Sequence, residues 1–327
     1  MECTKQQVEE ILKETEAKLV EFMASGKYKD VLLAMGNLGR YSLNNQLWLL
    51  FQNPEVTTVF GLREWNEHGR CVKRGEKALR ILAPVIKNVL VAKKDEDGKV
   101  LMNEEGEEVK EKRAILYGFK LAYVFDISQT FGNELDVFRL DETATVPQKE
   151  KILSALRSVI SENGYTFSYA DAEVLGQRCY GHCDYLKKEI LVLKDMGDLH
   201  TIKTLVHECA HMLAHQPVEE GFDGITLFEQ RQVKEIEAES ISCVVASYLG
   251  LDTQNYNFSY ITSWAEGDLE KFRHNIERIG EFSSILIKRI DAELYPKKEE
   301  QKNRKVEQRN FKRAKVRNRT VAAEMEV

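Results

Sequence analysis

The residues with the clearest chemical potential are the five in the segment His207-Glu208-Cys209-Ala210-His211. Histidines four positions apart on a helix share one face and lie about 6 Å apart along the axis, so both can reach one zinc ion. Glu208 stands beside the first histidine, where a carboxylate can accept a proton and pass it to a leaving amine. The spacing therefore predicts a Zn²⁺ site with His207 and His211 as ligands and Glu208 as the catalytic base.

A zinc ion that keeps one position open for chemistry needs a third protein ligand. His215 lies eight residues after His207, about 12 Å along the helix, so it cannot join the other two histidines while the helix persists. A carboxylate on the following helix is left, and the segment 235–239 supplies three glutamates. Glu235 and Glu239 share a face with small residues, which suits close packing against the first helix. We predict Glu235 as the ligand and Glu239 as the acceptor of a ligand histidine's N–H, with surface charge as the alternative for Glu239 and Glu237.

These residues also carry a family resemblance. From His207 to Trp264, the pattern H-E-x-x-H followed by E-x-x-A-E resembles the zincin-type metallopeptidase domains of ImmA/IrrE-like and ArdC-type proteins. In those families the glutamate that matches Glu235 is the third zinc ligand. Several short amino-terminal motifs resemble the ArdC-like single-stranded-DNA-binding domain, namely Met35-Gly36, Tyr41–Asn45, Gln52–Pro54, Trp65, Val72–Lys77 and Val124–Thr130. The resemblance implies a link to antirestriction and to plasmid or transposon transfer.

Basic and aromatic residues alternate between Arg40 and Lys87, and residues 70–87 carry six cations against one glutamate. Such mixtures hold single strands, because bases stack on aromatic faces while cations follow the phosphates. Together with the resemblance, this pattern predicts a set of DNA-binding residues: Tyr41, Asn44, Asn45, Arg63, Trp65, Arg70, Lys73, Arg74 and Lys77. Capping and packing roles stay open for Tyr41, Asn44 and Asn45, and we expect Trp48 and Phe51 to lie in the core.

The elements that position these residues follow from hydrophobic periodicity and turn signals. The sequence predicts an α+β fold with helices over 5–25, 28–52, 148–162, 200–215, 230–249 and 268–294, and strands over 56–62, 79–92, 113–126, 165–170 and 190–193. The resemblance to zincin-like folds implies that the strand 190–193 corresponds to the edge strand that pairs with an extended peptide. We predict four regions: an ArdC-like single-stranded-DNA-binding domain (1–130), a linker (131–148), a zincin-like metallopeptidase domain (149–295) and a basic, mobile tail (296–327).

Composition and charge narrow the class of protein. None of the apolar runs in the 327 residues approaches the roughly 18–20 residues of a membrane span, and the first residues lack a secretory signal. We therefore expect a soluble, cytoplasmic protein with its six cysteines reduced. The net charge of −6 divides into about +8 over residues 297–319 and −12 over residues 1–296. Such a tail can bind nucleic acid or acidic partners, or can be a solvated end.

The function predicted from these observations is that of a zinc-dependent metallopeptidase-like protein with a single-stranded-DNA-binding module, acting on a polypeptide and independent of membranes. One alternative is a DNA-binding antirestriction protein whose metal site is structural or inactive. Another is a peptidase that does not bind DNA. A second metal set, Cys179, His182 and Cys183, lacks a fourth ligand and a standard spacing, so ordinary strand and turn residues are expected there.

Overall fold

The computed structural model describes residues 3–95, 99–103, 105–135, 140, 146–176, 179–215, 227–254, 256, 258 and 269–296. The chain has a mixed α+β fold and divides into two compact units, residues 1–137 and 138–327. The division falls within the predicted linker 131–148, of which residues 136–139 and 141–145 lie outside the described part. The predicted basic tail lies outside it from residue 297 onward. That the two units are the predicted domains stays a prediction.

Four helices and five strands make up the described part of the first unit. They are α1 (Lys5–Ala24), α2 (Tyr28–Asn37), α3 (Leu43–Gln52), β1 (Val59–Phe60), α4 (Leu62–Glu67), β2 (Arg70–Val72), β3 (Leu79–Ala92), β4 (Lys110–Asp126) and β5 (Thr130–Gly132). The single helix predicted over 28–52 is wrong, because α2 ends before Leu38 and the backbone of Ser42 is extended where α3 begins. The predicted strand 56–62 shortens to β1 because α4 already begins at Leu62.

A long antiparallel hairpin of β3 and β4 dominates this unit, and β1 pairs with the end of β4. The register shifts between Val85 and Ile86, which face Gly118 and Leu116, so Tyr117 is the extra residue of a β-bulge. A second, two-stranded ribbon joins β2 to β5. Strand 79–92 is confirmed at both ends, whereas β4 begins three residues before the predicted start.

Five helices and three strands make up the described part of the second unit. They are α5 (Val146–Glu162), β6 (Thr166–Ala170), α6 (Ala172–Leu175), β7 (Gly181–Asp184), β8 (Glu189–Leu193), α7 (Asp198–Ala214), α8 (Leu227–Leu249) and α9 (Leu269–Leu294). The sheet order is β6-β8-β7, with β6 parallel and β7 antiparallel to β8. The prediction of an edge strand at 190–193 is therefore wrong: Ile190 faces Phe167 on one side and Cys183 on the other, and β7 lies at the edge.

Helix α7 carries the predicted metal motif and is buried along one side. Its apolar residues Ile202, Leu205, Val206 and Cys209 are almost fully buried. Helices α8 and α5 pack against it, and α9 packs against α5 and α8. All six cysteines are free thiols. Within the described part of the chain, no helix is both long and apolar enough to cross a membrane.

Candidate metal centre

Helices α7 and α8 bring three predicted ligands together. The Nε2 atoms of His207 and His211 lie 3.0 Å apart. Glu235 of α8 places its Oε2 atom 3.5 Å from Nε2 of His207 and its Oε1 atom 3.4 Å from Nε2 of His211. Among the described residues, this is the one group of three or more histidine, cysteine or acidic residues whose ligand atoms all lie within 4.8 Å of one another.

The distances between these donor atoms match the needs of a small divalent ion. Bonds of about 2.0–2.1 Å to a tetrahedral zinc ion separate neighbouring donors by about 3.3 Å. The observed separations of 3.0, 3.4 and 3.5 Å lie close to that value. Two imidazoles and one carboxylate leave a fourth position of the tetrahedron open, which is the donor set of catalytic zinc sites. The residues present therefore fit a metal ion.

Each ring nitrogen of His207 has an acidic neighbour. Glu235 lies at Nε2, and Glu239 places its Oε2 atom 3.4 Å from Nδ1. Burial opposes the charged form of His207, but the hydrogen bonds with Glu235 and Glu239 raise its pKa to about 10. Hydrogen bonds from His207 and then from His211 hold the pKa of Glu235 well below its ordinary value. Burial lowers the pKa of His211.

Glu208 follows the ligand His207 on α7 and lines with it a cavity of about 760 Å³, whose wall also includes Glu239, Thr204 and Gly181. The side chain is 6% exposed, and this burial raises the pKa of Glu208 to about 7. A carboxyl group with a pKa near 7 can both accept and donate a proton at neutral pH. Edge strand β7 passes so close that a Cβ atom on Gly181 would lie 2.6 Å from Oε1 of Glu208.

A largely buried chain of polar side chains lies behind the ligands. It consists of His215, Glu237 and Arg278, none of which the sequence placed there. Glu237, for which surface charge was an alternative, is 5% exposed. Its Oε2 atom lies 3.0 Å from Nε2 of His215, and its Oε1 atom accepts a 2.8 Å hydrogen bond from Nε of Arg278 in α9. Burial opposes the charge, but these hydrogen bonds keep the pKa of Glu237 below its ordinary value. The surface-charge interpretation of Glu237 is wrong.

The second cysteine–histidine set does not converge. His182 and Cys183 lie in β7, and neither belongs to a group of three convergent ligands in the described part of the chain. The Sγ atom of Cys179 donates to the carbonyl of Gly181. Burial raises the pKa of Cys183 to about 12, which keeps its thiol protonated and unsuited to bind a metal.

Several predicted DNA-binding residues instead hold the first unit together. Trp65 is 0% exposed and donates from Nε1 to the carbonyl of Phe125, so the prediction that it stacks on a base is wrong. Asn45 is buried, and its amide both accepts from and donates to the backbone of Leu82 in β3. Tyr41 donates from its hydroxyl to the carbonyl of Val59. The packing interpretation therefore holds for Asn45, and direct DNA contact by this side chain is excluded.

Most of the remaining predicted residues are at the surface. Arg70 bonds to Thr130 and to the carbonyl of Asn133, and Lys73 donates to the carbonyl of Ser128. Arg63 pairs with Glu67 on α4. Arg74 and Lys77 are exposed, whereas Asn44 is half-buried. DNA binding by the accessible members of the set stays a prediction.

Three exposed aromatic residues escaped the sequence analysis. Tyr123 is the register partner of Arg80, the Nζ atom of Lys87 lies 3.1 Å from the ring centroid of Tyr117, and Phe131 faces Cys71. Their rings are 57–61% exposed. They escaped because each ring meets its neighbour, a cation for Tyr117 and Tyr123 and Cys71 for Phe131, only through strand pairing across about 30–60 residues of sequence. The alternation of residues in 113–126 was the signal that could have pointed to them.

The fold and the site together define an α+β protein with a candidate His₂Glu metal centre. Residues 1–125 match the family described as the N-terminal domain of anti-restriction factor ArdC. This match confirms the resemblance to the ArdC-like domain that the amino-terminal motifs indicated. The metal centre lies outside the matched residues, so its function has to be argued from its own geometry.

The proteins that match most of this chain are 18–25% identical to it. An uncharacterized protein of Bacillus anthracis is 25% identical over 336 residues, which cover 92% of this chain and 55% of that protein. The chain thus spans about half the length of this curated relative. The metal-free crystal structure of the antirestriction protein ArdC from plasmid R388 is 19% identical, with a TM-score of 0.37, covering 76% of this chain and 82% of that one. The Mn(II)-bound structure of ArdC from R388 is 18% identical, with a TM-score of 0.40, covering 76% and 84%.

Proposed function

We propose that this chain is an ArdC-type antirestriction protein whose second unit is a zinc-dependent, zincin-like metallopeptidase domain. The observation that carries the proposal is the convergence of His207, His211 and Glu235 beside a buried carboxyl group in an open cavity. The three residues hold the metal, and Glu208 is the general base. Glu239 accepts the Nδ1 hydrogen of His207, so Nε2 is the nitrogen that binds the metal once its own proton has left.

The chemistry divides between the metal and the protein. A divalent ion held by His207, His211 and Glu235 would polarise a carbonyl oxygen and would lower the pKa of water. Glu208 takes a proton at its carboxylate and later returns it to the leaving amine. Burial of Glu208 raises its pKa to about 7, which supports both roles near neutral pH. Donors of this kind also suit Mn²⁺, so titration with Zn²⁺ and Mn²⁺ in parallel identifies the preferred metal.

Strand β7 is the surface that we propose for the peptide substrate. Among the described strands it pairs with β8 alone, and its first residue, Gly181, approaches Glu208 closely. An extended peptide can add to such an edge through backbone hydrogen bonds, which tolerate many side chains. Residues 181–184, and not 190–193, are therefore the edge strand that we propose to pair with the peptide.

A single substitution tests the assignment of Glu208. The variant Glu208→Gln removes the basic oxygen but keeps the size of the side chain, so we expect bound metal and a folded chain without peptide hydrolysis. Undiminished hydrolysis by this variant would rule out the assigned role. The inactive variant also serves as a trap, because proteins that accumulate on it and not on the unaltered chain are candidate substrates. Absence of hydrolysis in the unaltered, metal-loaded chain would favour a structural metal site in a DNA-binding protein.

Single-stranded DNA is the partner that we propose for the first unit. Its assignment as an ArdC N-terminal domain supports the proposal, as do the exposed cations that lie near exposed aromatic rings. Tyr123 beside Arg80 and Tyr117 beneath Lys87 offer the combination of ring face and positive charge that single strands need. Arg63, Arg70, Lys73, Arg74 and Lys77 remain the predicted phosphate contacts.

A further inference from the structure

The buried polar chain behind the metal centre is continuous from one ligand to a surface-facing helix. Nδ1 of His211 lies 3.1 Å from Nδ1 of His215. Nε2 of His215 lies 3.0 Å from Oε2 of Glu237, whose Oε1 atom accepts from Nε of Arg278. A terminal nitrogen of Arg278 also donates to the carbonyl of Ala214, the last residue of α7.

The hydrogens of this chain can be assigned in one consistent way when His211 binds a metal through Nε2. The ring hydrogen of His211 is then on Nδ1, from which it is donated to the lone pair on Nδ1 of His215. His215 must in turn carry its hydrogen on Nε2, and this hydrogen is donated to the carboxylate of Glu237. Both ring nitrogens of His215 and both carboxylate oxygens of Glu237 then have a partner, which is what burial of a carboxylate requires.

The backbone explains how His215 reaches this position. Helix α7 ends at Ala214, and the backbone of His215 is extended, although its N–H still bonds to the carbonyl of His211. The ring therefore remains beside the ring of His211, with centroids 5.1 Å apart and planes tilted by 56°, instead of following the helix away from the site. His215 is 4% exposed, so solvent does not compete for the hydrogen bonds of its ring.

We propose that His215 and Glu237 are positioning residues that fix the ring of His211 with Nε2 turned toward the metal. The proposal rests on the metal centre of the proposed function and extends it to residues that touch neither metal nor substrate. Hydrogen-bond acceptors of this kind raise the basicity of a metal-bound histidine and fix its ring, and their loss costs about 10–100-fold in metal affinity.

The test is the Zn²⁺ affinity of the full chain, measured by competition with a chromophoric chelator. We expect His215→Phe to lower the affinity about 10–100-fold, while His274→Phe, an exposed control on α9, leaves it unchanged. His215→Asn should recover most of the loss, because its Oδ1 atom replaces the acceptor at Nδ1. His215→Gln should not, because its amide replaces Nε2 instead. Melting temperatures of the metal-free variants show whether folding is affected.

A second readout separates positioning from a general loss of structure. The visible spectrum of bound Co²⁺ reports the geometry of the ligands, and we expect His215→Gln to change it and His215→Asn to retain it. Glu237→Gln should weaken metal binding in the same direction, and its effect should not add to that of His215→Gln because the two act through one chain. Should His215→Phe fail to fold, the Asn and Gln variants, which keep the site polar, decide the same question.

The outcomes distinguish this inference from the proposed function. Failure of the unaltered chain to bind metal would overturn the metal centre itself. Metal binding that is equally tight in the unaltered chain, His215→Gln and His215→Asn would leave the metal centre intact and overturn the positioning role.

Discussion

At the scale of single residues, the metal centre depends on charge as much as on distance. His207 lies between two carboxylates, and Glu235 is shared by two imidazoles. In the metal-free chain such an arrangement retains a proton, because the hydrogen bonds to His207 raise its pKa to about 10. A metal must displace that proton before it can bind His207.

Metal binding should therefore release about one proton per chain between pH 7.5 and 9. Over this window the pH is below the pKa of His207, so the proton competes with the metal and the association constant should rise about tenfold per pH unit. Glu208 has lost most of its proton at these pH values, because its pKa is about 7. Calorimetry in two buffers of different ionisation enthalpy counts the released protons. An association constant that does not change with pH over this window would contradict the hydrogen-bonding role of Glu235 and Glu239.

The sequence placed the motif residues well because the rule behind them is local. Two histidines four apart must share a helix face, so their spacing indicated His207 and His211. The helix face shared by Glu235 and Glu239 restricted the third ligand to a few carboxylates, and the structure brings Glu235 to the two histidines. The chain through His215, Glu237 and Arg278 could not be predicted in this way. It depends on where α7 ends and on how α9 packs, and neither is encoded within a few residues.

At the scale of elements, strand β7 limits the space around Glu208. Gly181 opens edge strand β7, and any side chain there would collide with Glu208 and Thr204 of α7. The glycine therefore allows the proposed peptide-binding edge to approach the base. Its position illustrates why a single small residue in a strand can determine the shape of a site.

The substitution Gly181→Ala tests this contact. We expect a displaced Glu208 and a loss of peptide hydrolysis of about 10–100-fold, because misplacement of a catalytic group by about 1 Å costs that much. Metal affinity should change little, since the ligands lie on α7 and α8. The control is Gly197→Ala at the start of α7, where an added Cβ atom meets no neighbour within 4 Å. Equal hydrolysis by Gly181→Ala and the unaltered chain would show that Glu208 does not act from its observed position.

Strand pairing was the part of the fold that the sequence described least well. The periodicity of residues 190–193 indicated a strand, and β8 contains it, but an apolar run does not say whether a strand is central or at an edge. The buried residues Ile190 and Val192 fit the central position that the structure shows. Similarly, α2 and α3 continue one apolar pattern, and the break between them around Gly39 was not recognised.

At the scale of the whole molecule, a segment rich in cations stands out from a chain that is otherwise acidic, and this segment is the one that can bind DNA. Residues 1–296 carry about −12, yet residues 70–87 carry six cations and one glutamate. Several of these cations bond to carbonyl groups within the first unit, which leaves the exposed Arg74 and Lys77 as the cleanest test of phosphate contact.

Reversing the charge of Arg74 and Lys77 to glutamate in the full chain should weaken binding to single-stranded DNA of every sequence. Each lost phosphate contact should flatten the slope of log affinity against log salt by about 0.7, because fewer counterions are released. Tyr123→Ala should weaken binding by about 1–3 kcal/mol with the slope nearly intact. The control is Lys5→Glu with Lys13→Glu on α1, which makes the same change in net charge. A slope that falls equally in this control would place the binding elsewhere.

A metal centre built from His207, His211 and Glu235 predicts a definite metal content for the chain and for its variants. Purified protein, dialysed against trace zinc and assayed by mass spectrometry, should contain close to one zinc per chain, and so should Glu208→Gln. The variants His207→Ala, His211→Ala and Glu235→Ala should each lose most of it, because each removes a donor. Full zinc in Glu235→Ala together with loss of zinc from Glu237→Ala or Glu239→Ala would contradict the assignment of Glu235 as the third ligand.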